Sequence, residues 1–340
     1  MTALPPTNDD REIWDCWLSQ YRLPVVTAAD DAGLFVAIAG EALSTEALAA
    51  KIGAEARALS IHLAMLAGTG FVERRAGLWR ATNLARTWLH PEGAGYYGPM
   101  LGAYKQSNPL HSQLLETLRS GHQATAHSSA ANEWERGAMP PEMARFVTAF
   151  MNSHSIAAAN GLARMPVFGG VRSMLDVGGG SAIFPITLAR ALPQFRGTVM
   201  EIDVVCDAAQ VYIDKADVGD RVKTQAVNMF TQDWPTGHDA HFLSNIFHDW
   251  SAQTNALLAA KSFAALPSGG RIFLHEMLID DDGCGPWQVA AFSLLMLLGT
   301  KGKQYSFVEL KALLEGAGFV DVESCRTGGA YYSLVSARKA

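Results

Sequence analysis

After about residue 165 the chain changes period. Short apolar runs at 173–177, 197–202, 222–227, 240–246 and 271–278 are separated by stretches of helical spacing, and two more runs follow at 319–325 and 331–336. Alternation of strand and helix predicts a mostly parallel, doubly wound α/β sheet of the Rossmann-like kind, with helices on both faces. The last two runs leave no room for a helix between them and should form an antiparallel hairpin at one sheet edge. The first run feeds straight into Asp176-Val177-Gly178-Gly179-Gly180, and a helix is expected over 184–192. Glycines at such a turn let a ligand approach the backbone, because no Cβ stands in the way. The helix start then presents free N–H groups to a polar part of that ligand. Glu201 closes the next strand, where a carboxylate can accept hydrogen bonds from both hydroxyls of a ribose. A dinucleotide fingerprint counted from Gly178 would need a glycine at Ile183. A nucleoside without a pyrophosphate therefore fits the turn better than a dinucleotide.

Residues 1–165 read differently. The first ten are polar and Pro-rich, and from Glu12 onward almost all spacing is helical. Leu43-Ser44-Thr45-Glu46 opens, with a capping residue, a helix that runs to Gly53, a second helix covers 55–67, and two short alternating stretches at 71–74 and 78–81 are joined by Ala76-Gly77. Helix, turn, helix and hairpin make the outline of a winged helix. That outline raises DNA binding, but the second helix carries one arginine, one histidine and mostly apolar residues, where base reading needs Arg, Lys, Asn or Gln. The formal net charge of −6 also opposes a phosphate-neutralising role. Cys16, Cys206, Cys284 and Cys325 form no CxxC pair, so neither a disulfide framework nor a cysteine zinc site is expected. The start lacks a basic and apolar leader, and the apolar run at 290–298 is too short to span a bilayer. The expected setting is cytoplasmic.

His248 follows the fourth sheet strand, at the carboxyl edge where α/β folds bind ligands. An imidazole titrates near neutrality and can take a proton from a phenol as its oxygen attacks. Glu276 lies in the fifth strand, beside the fourth, where a carboxylate can bond the far nitrogen of His248 and fix its tautomer.

Taken in order, Asp176-Val177-Gly178-Gly179-Gly180, the acidic Glu201, Asn228-Met229-Phe230 and His248-Asp249-Trp250 resemble the plant-type and bacterial small-molecule O-methyltransferases. The resemblance runs over nearly the whole chain and includes Trp134-Glu135, Met151-Asn152-Ser153-His154-Ser155 and Gly316-Ala317-Gly318-Phe319. It implies a class I methyltransferase domain at 166–340 and a winged-helix dimerisation and substrate-capping domain at 1–165. It further implies a homodimer, S-adenosylmethionine as methyl donor, no metal, and transfer to a hydroxyl of a small, aromatic acceptor. In that likeness Gly178 and Gly180 line the methionine part of the donor beside Asp176, and Glu201 holds the ribose. Met229 and Phe230 flank the adenine, and Ser155 touches the carboxylate. Met296, Phe292, Phe150 and Asp249 face the acceptor, with Tyr104 and Trp287 as further candidates.

Several positions depart from the family pattern, Glu201 among them, where plant members have Asp. Asn228 stands where Asp is usual, Ser244 where plant members carry lysine, and Ala182 where glycine is frequent. Gly302-Lys303-Gln304-Tyr305-Ser306 replaces Gly-Lys-Glu-Arg-Thr, so Gln304 sits where a second acidic neighbour of the histidine is usual. These changes keep two alternatives open: methylation of nitrogen, sulfur or carbon, and a donor-binding homologue with hydroxylase, decarboxylase or pericyclase chemistry.

Overall fold

The computed structural model describes residues 9–105, 107–122 and 133–340. The expectation for the polar start therefore lies, for its first eight residues, outside the described part. A two-stranded hairpin comprises β1 (Val72–Arg75) and β2 (Leu78–Ala81). The main sheet comprises β3 (Ser173–Val177), β4 (Arg196–Glu201), β5 (Val222–Ala226), β6 (Ala240–Ser244), β7 (Arg271–Met277), β8 (Phe319–Arg326) and β9 (Tyr332–Lys339). Its order is β5-β4-β3-β6-β7-β9-β8, parallel through β7, with β9 antiparallel to both β7 and β8.

All seven strands fall where the apolar runs predicted them, and the final pair is the antiparallel edge. Several ends shift by one to three residues, the largest at β9, which runs on to Lys339. β6 stops at Ser244 because Asn245 turns into the left-handed region at φ 55°. The sheet interior is built by Met174, Leu175, Phe242, Leu243, Phe273 and Leu274, all fully buried. Phe184, from the helix after β3, packs its ring 4.9 Å from Phe242, and Phe168 lies 5.0 Å from Phe273. Both pairs pin a covering layer onto the central strands.

The chain runs outward from β3 through β4 to β5, then returns to begin again at β6. This reversal opens a crevice at the carboxyl ends of β3 and β6, the place where open α/β sheets bind ligands. The glycine turn leaves β3 there, and the His248 turn leaves β6.

The chain divides into two compact units. One contains the sheet and is drawn from the chain start to Glu12, Ala130–Leu278 and Phe307–Ala340; the other is drawn from Ile13–Ser129 and Ile279–Ser306. Packing thus does not follow a single cut at residue 165. Helix Pro141–Leu162 packs on helices Ile183–Ala191 and Asp203–Ala216 and belongs with the sheet. Gly161 meets the Gly328 backbone so closely that a Cβ would sit 2.6 Å from its Cα.

In the helical unit, Ser44 accepts from the Ala47 N–H to start helix Thr45–Ile52, which ends at Gly53 with φ 65°. Glu55 accepts from the N–H groups of Arg57 and Ala58 to start helix Ala56–Gly68. Ala76 and Gly77 take φ 50° and 81°, the paired left-handed geometry of a tight hairpin turn. The helix, turn, helix and hairpin outline is therefore present. Eight of the thirteen residues of Ala56–Gly68 are buried, and its arginine, Arg57, donates to the Gly302 carbonyl. Helix Trp287–Gly299 covers this helix, touching at Gly68. A helix spent on packing in this way has little face left for base edges.

Candidate active site

The first end of the crevice is built at β3 and β4. Asp176 ends its strand 1% exposed, and neither carboxyl oxygen has a hydrogen-bond partner. Burial, with the Glu201 carboxyl nearby, holds Asp176 well above the usual carboxylate range. Gly178 and Gly180 take φ 67° and 51°, and a Cβ on Gly180 would meet nothing within 4 Å. That open face is the room a ligand needs beside the turn. Ala182 takes φ 64° and opens helix Ile183–Ala191, a left-handed position that favours glycine.

Glu201 is 5% exposed, and burial pushes its carboxyl up to about 7 against the pull of hydrogen bonds from the Ile202 and Gly180 N–H groups and the Trp134 side chain. Trp134 connects to the next position. Asn228 Nδ2 donates to the Glu135 carbonyl at 3.1 Å, while Asn228 Oδ1 accepts from the Phe230 and Thr231 N–H groups at 2.9 and 3.2 Å. The amide thus shapes the Met229-Phe230 turn and ties it to the Trp134 segment. An aspartate could accept from the Phe230 and Thr231 N–H groups but could not donate to the Glu135 carbonyl. Trp234 Nε1 donates to the Met229 carbonyl at 2.9 Å and fixes the same turn from below. Phe230 stacks edge-on to Trp250 with ring centroids 4.7 Å apart.

The second end is built at β6 and β7. Glu276 Oε1 accepts from the N–H groups of Ile246 and Phe247 at 3.0 and 2.8 Å. Glu276 Oε2 lies 3.1 Å from His248 Nδ1. Glu276 and His248 are 2% and 3% exposed. A carboxylate at that distance favours the tautomer protonated on Nδ1, which leaves Nε2 as the acceptor. Asp249 Oδ1 stands 3.6 Å from Nε2, and burial pushes the Asp249 carboxyl up to about 6. Ser244 Oγ pairs with His275 Nδ1 at 2.9 Å. Ser155 Oγ pairs with His154 Nδ1 at 3.2 Å, and Phe150 lies edge-on to the His154 ring at 5.5 Å. Burial and the field of His248 push His154 down to about 4, so this imidazole is neutral at ordinary pH.

Residues 111–320 match the family of proteins with an O-methyltransferase domain. The chain belongs to the O-methyltransferase family. A 3-hydroxy-5-methyl-1-naphthoate 3-O-methyltransferase of Streptomyces sahachiroi is 33% identical to this methyltransferase over 90% of the chain and 88% of the relative. An L-tyrosine C(3)-methyltransferase of Streptomyces lavendulae is 26% identical over 82% and 77%. Among solved structures, an O-methyltransferase family 2 protein of Planctomyces limnophilus in complex with apigenin superposes with a TM-score of 0.87. It is 26% identical and covers 98% of this chain and 97% of its own. Membership makes the chain an enzyme with S-adenosylmethionine as methyl donor. The residues present fit that donor: an open glycine turn, a buried acid at the β4 end, and an orphaned buried carboxyl facing the turn, beside which a cation is favoured.

The remaining candidates of the methyltransferase lie in its helical unit. Phe292 is 5% exposed and packs against Trp14 and Trp17 with centroids 5.6 and 6.1 Å apart. The Met296 carbonyl accepts from Thr300 N and Oγ1. Gln304 is 1% exposed, and its N–H donates to Ser293 Oγ at 3.0 Å. Sequence reasoning missed the Trp134 bond to Glu201, the His275 partner of Ser244, and Asn255 behind the His248 turn. Trp134 was visible only as part of a motif. The other two carry no local signal, because their partners are set by strand pairing and helix rotation.

Among the described residues, no group of three or more His, Cys, Asp or Glu could hold a metal ion, and no helix is long and apolar enough to cross a membrane.

Proposed function

We propose that the enzyme methylates a hydroxyl of a small aromatic acceptor and that His248 removes the hydroxyl proton. The observation that carries this is the His248 Nδ1 to Glu276 Oε2 contact of 3.1 Å, made by a carboxylate whose other oxygen is anchored on two backbone N–H groups. Bound S-adenosylmethionine supplies an electrophilic methyl group. Gly178, Gly180 and Asp176 would line its methionine part, Glu201 its ribose, and Met229, Phe230 and Asn228 the adenine side, with Ser155 and Ser244 at the edges. His248 Nε2 takes the proton as the acceptor oxygen attacks, and Glu276 stabilises the imidazolium so formed. Asp249, beside Nε2, orients the hydroxyl. Most of the acceleration comes from holding the oxygen in line with the methyl carbon, and proton removal adds to it.

Phe150, Phe292 and Met296 are proposed to contact the acceptor, and Gln304 to serve as an uncharged neighbour of the histidine. The naphthoate-methylating relative and the apigenin complex support an aromatic hydroxyl acceptor. The tyrosine C-methyltransferase keeps carbon methylation as the rival reading. Exposed Val36, Trp88, Tyr97, Met100 and Tyr104 in the helical unit support a homodimer through residues 1–165. A cytoplasmic setting is proposed from the absence of cysteine pairing in the sequence.

The test is S-adenosylhomocysteine release over a panel of phenols, naphthols, flavonoids and hydroxyindoles, with the methylated atom located by mass spectrometry and NMR. Native turnover at oxygen should fall about 10²- to 10⁴-fold in His248→Ala with donor affinity unchanged. A carbon-methylated product, or an active His248→Ala, would overturn the reading.

A further inference from the structure

Asn255 lies in the first turn of helix Ala252–Ala265, and none of the roles proposed so far uses it. It is fully buried. Its Nδ2 donates to the Phe247 carbonyl at 2.8 Å and to the Trp250 carbonyl at 3.3 Å. These two carbonyls bracket His248 and Asp249. On the opposite side of the same turn, Glu276 takes the N–H groups of Ile246 and Phe247. Asn245, at φ 55°, feeds the chain into this grip.

The turn itself is a 3₁₀ helix of three residues, Phe247–Asp249. Such a short element makes few bonds of its own and cannot hold a side chain to a fixed bearing. Its N–H face is held by a carboxylate and its carbonyl face by an amide. Removing either partner leaves buried backbone groups unpaired and frees the turn to move. Ser251 caps the helix on the Thr254 N–H, so the helix start that delivers Asn255 is itself fixed.

We propose that Asn255 is a positioning residue for the catalytic base: its amide sets the His248 turn, and with it the distance from His248 Nδ1 to Glu276 and the aim of Nε2 at the acceptor hydroxyl. This rests on His248 being the base. The role is separable from general stability, because a displaced base slows the chemical step while the donor and acceptor sites stay formed. A misplacement of about 1 Å at a reacting group costs on the order of 100-fold.

The experiment compares Asn255→Ala, Asn255→Asp and Asn255→Ser with the native enzyme, on whichever acceptor of the panel turns over, with donor affinity by calorimetry and melting temperature alongside. Aspartate keeps the volume but loses the donor; serine keeps one donor. The expected result is a kcat lower by roughly 10- to 100-fold in the Ala and Asp variants, smaller in Ser, with acceptor KM and donor Kd changed less than about threefold. Where the Ala variant does not fold, Asp and Ser decide on the same readouts. A folded Ala or Asp variant with kcat within about twofold of native overturns the proposal, as does a parallel worsening of kcat, KM and Kd, which marks general loosening. His248→Ala is run beside them. If it remains active, the base assignment fails; if it is dead while Asn255→Asp is fully active, only the positioning role fails.

Discussion

The crevice buries a carboxyl group at each end, and the two ends treat it in opposite ways. At β3 and β4, Asp176 has no hydrogen-bond partner on either oxygen, and Glu201 is pushed up to about 7 by burial. At β6 and β7, Glu276 is anchored on two backbone N–H groups and meets His248 at 3.1 Å. The first arrangement costs the protein stability and is relieved by a ligand that brings a positive charge and hydroxyl donors. The second finds its neighbours within the chain, two backbone N–H groups on one oxygen and the His248 ring beside the other. Under the proposed function the difference teaches which half of the reaction each end serves: one recognises something that arrives, the other holds the proposed proton acceptor in place before anything arrives.

The sharpest way to break this comparison is to treat Glu276 as if it were Asp176. Glu276→Ala strands the Ile246 and Phe247 N–H groups in a buried site, which costs about 1–3 kcal/mol for each, and removes the partner that fixes the His248 tautomer. The expected kcat loss is about 10³- to 10⁴-fold, the size seen when a buried acid behind a catalytic histidine is replaced. Glu276→Gln can still accept both N–H bonds, so it should keep its melting temperature and lose less activity. S-adenosylhomocysteine release and a thermal melt decide. Equal melting of the Ala and native proteins would show that the anchor is not structural.

How much of this was readable in the sequence follows from how far each interaction reaches along the chain. The strands, the glycine turn and the capped helix start within residues 43–46 are local, and the sequence pattern predicted them. His248 and Glu276 were legible as a pair because adjacent parallel strands bring their carboxyl ends together. Glu276 as an anchor for the Ile246 and Phe247 N–H groups was not, since nothing in a strand glutamate reports where its second oxygen points. Asn228 reads as an adenine contact by family likeness, but here its amide is engaged with the backbone of 135, 230 and 231. The grouping of Ile279–Ser306 with the helical unit was also invisible. Its helix Trp287–Gly299 is apolar nearly all round, and periodicity cannot say which neighbour covers such a helix.

The donor end is sharpened by Glu201→Gln. Loss of the carboxylate should weaken S-adenosylmethionine binding about 10- to 100-fold by calorimetry, the worth of one or two charge-assisted hydrogen bonds. It also changes stability with pH in a set direction. The Glu201 carboxyl is raised from 4.5 to about 7 in the folded state, so its stabilising contribution is present below about 4.5 and lost as pH rises through 7. Without donor, the native enzyme should therefore lose stability relative to Glu201→Gln between pH 5 and 8. The buried imidazoles of His62 and His154, pushed down to about 4, act in the opposite sense. Their contribution is present above 6.5 and is lost as pH falls through 4, giving both proteins the same acid limb. Parallel denaturation curves of the two proteins above pH 5 would remove Glu201 from the account of the donor end.

The smallest effect tests whether strain at the donor end extends to its backbone. Ala182 holds φ 64° at the first residue before helix Ile183–Ala191, a conformation that costs a residue with a Cβ about 1–2 kcal/mol. Glycine removes that cost but adds unfolded-state entropy of about 0.4–1 kcal/mol, so Ala182→Gly should stabilise the protein by about 0.5–1 kcal/mol. In a chain of this size that is a rise of roughly 1–3 °C in melting temperature. Ala182 is fully buried, so its methyl group also packs. A fall in melting temperature would mean that this packing outweighs the backbone strain, and the donor end would then carry its unsatisfied chemistry in the two acids alone.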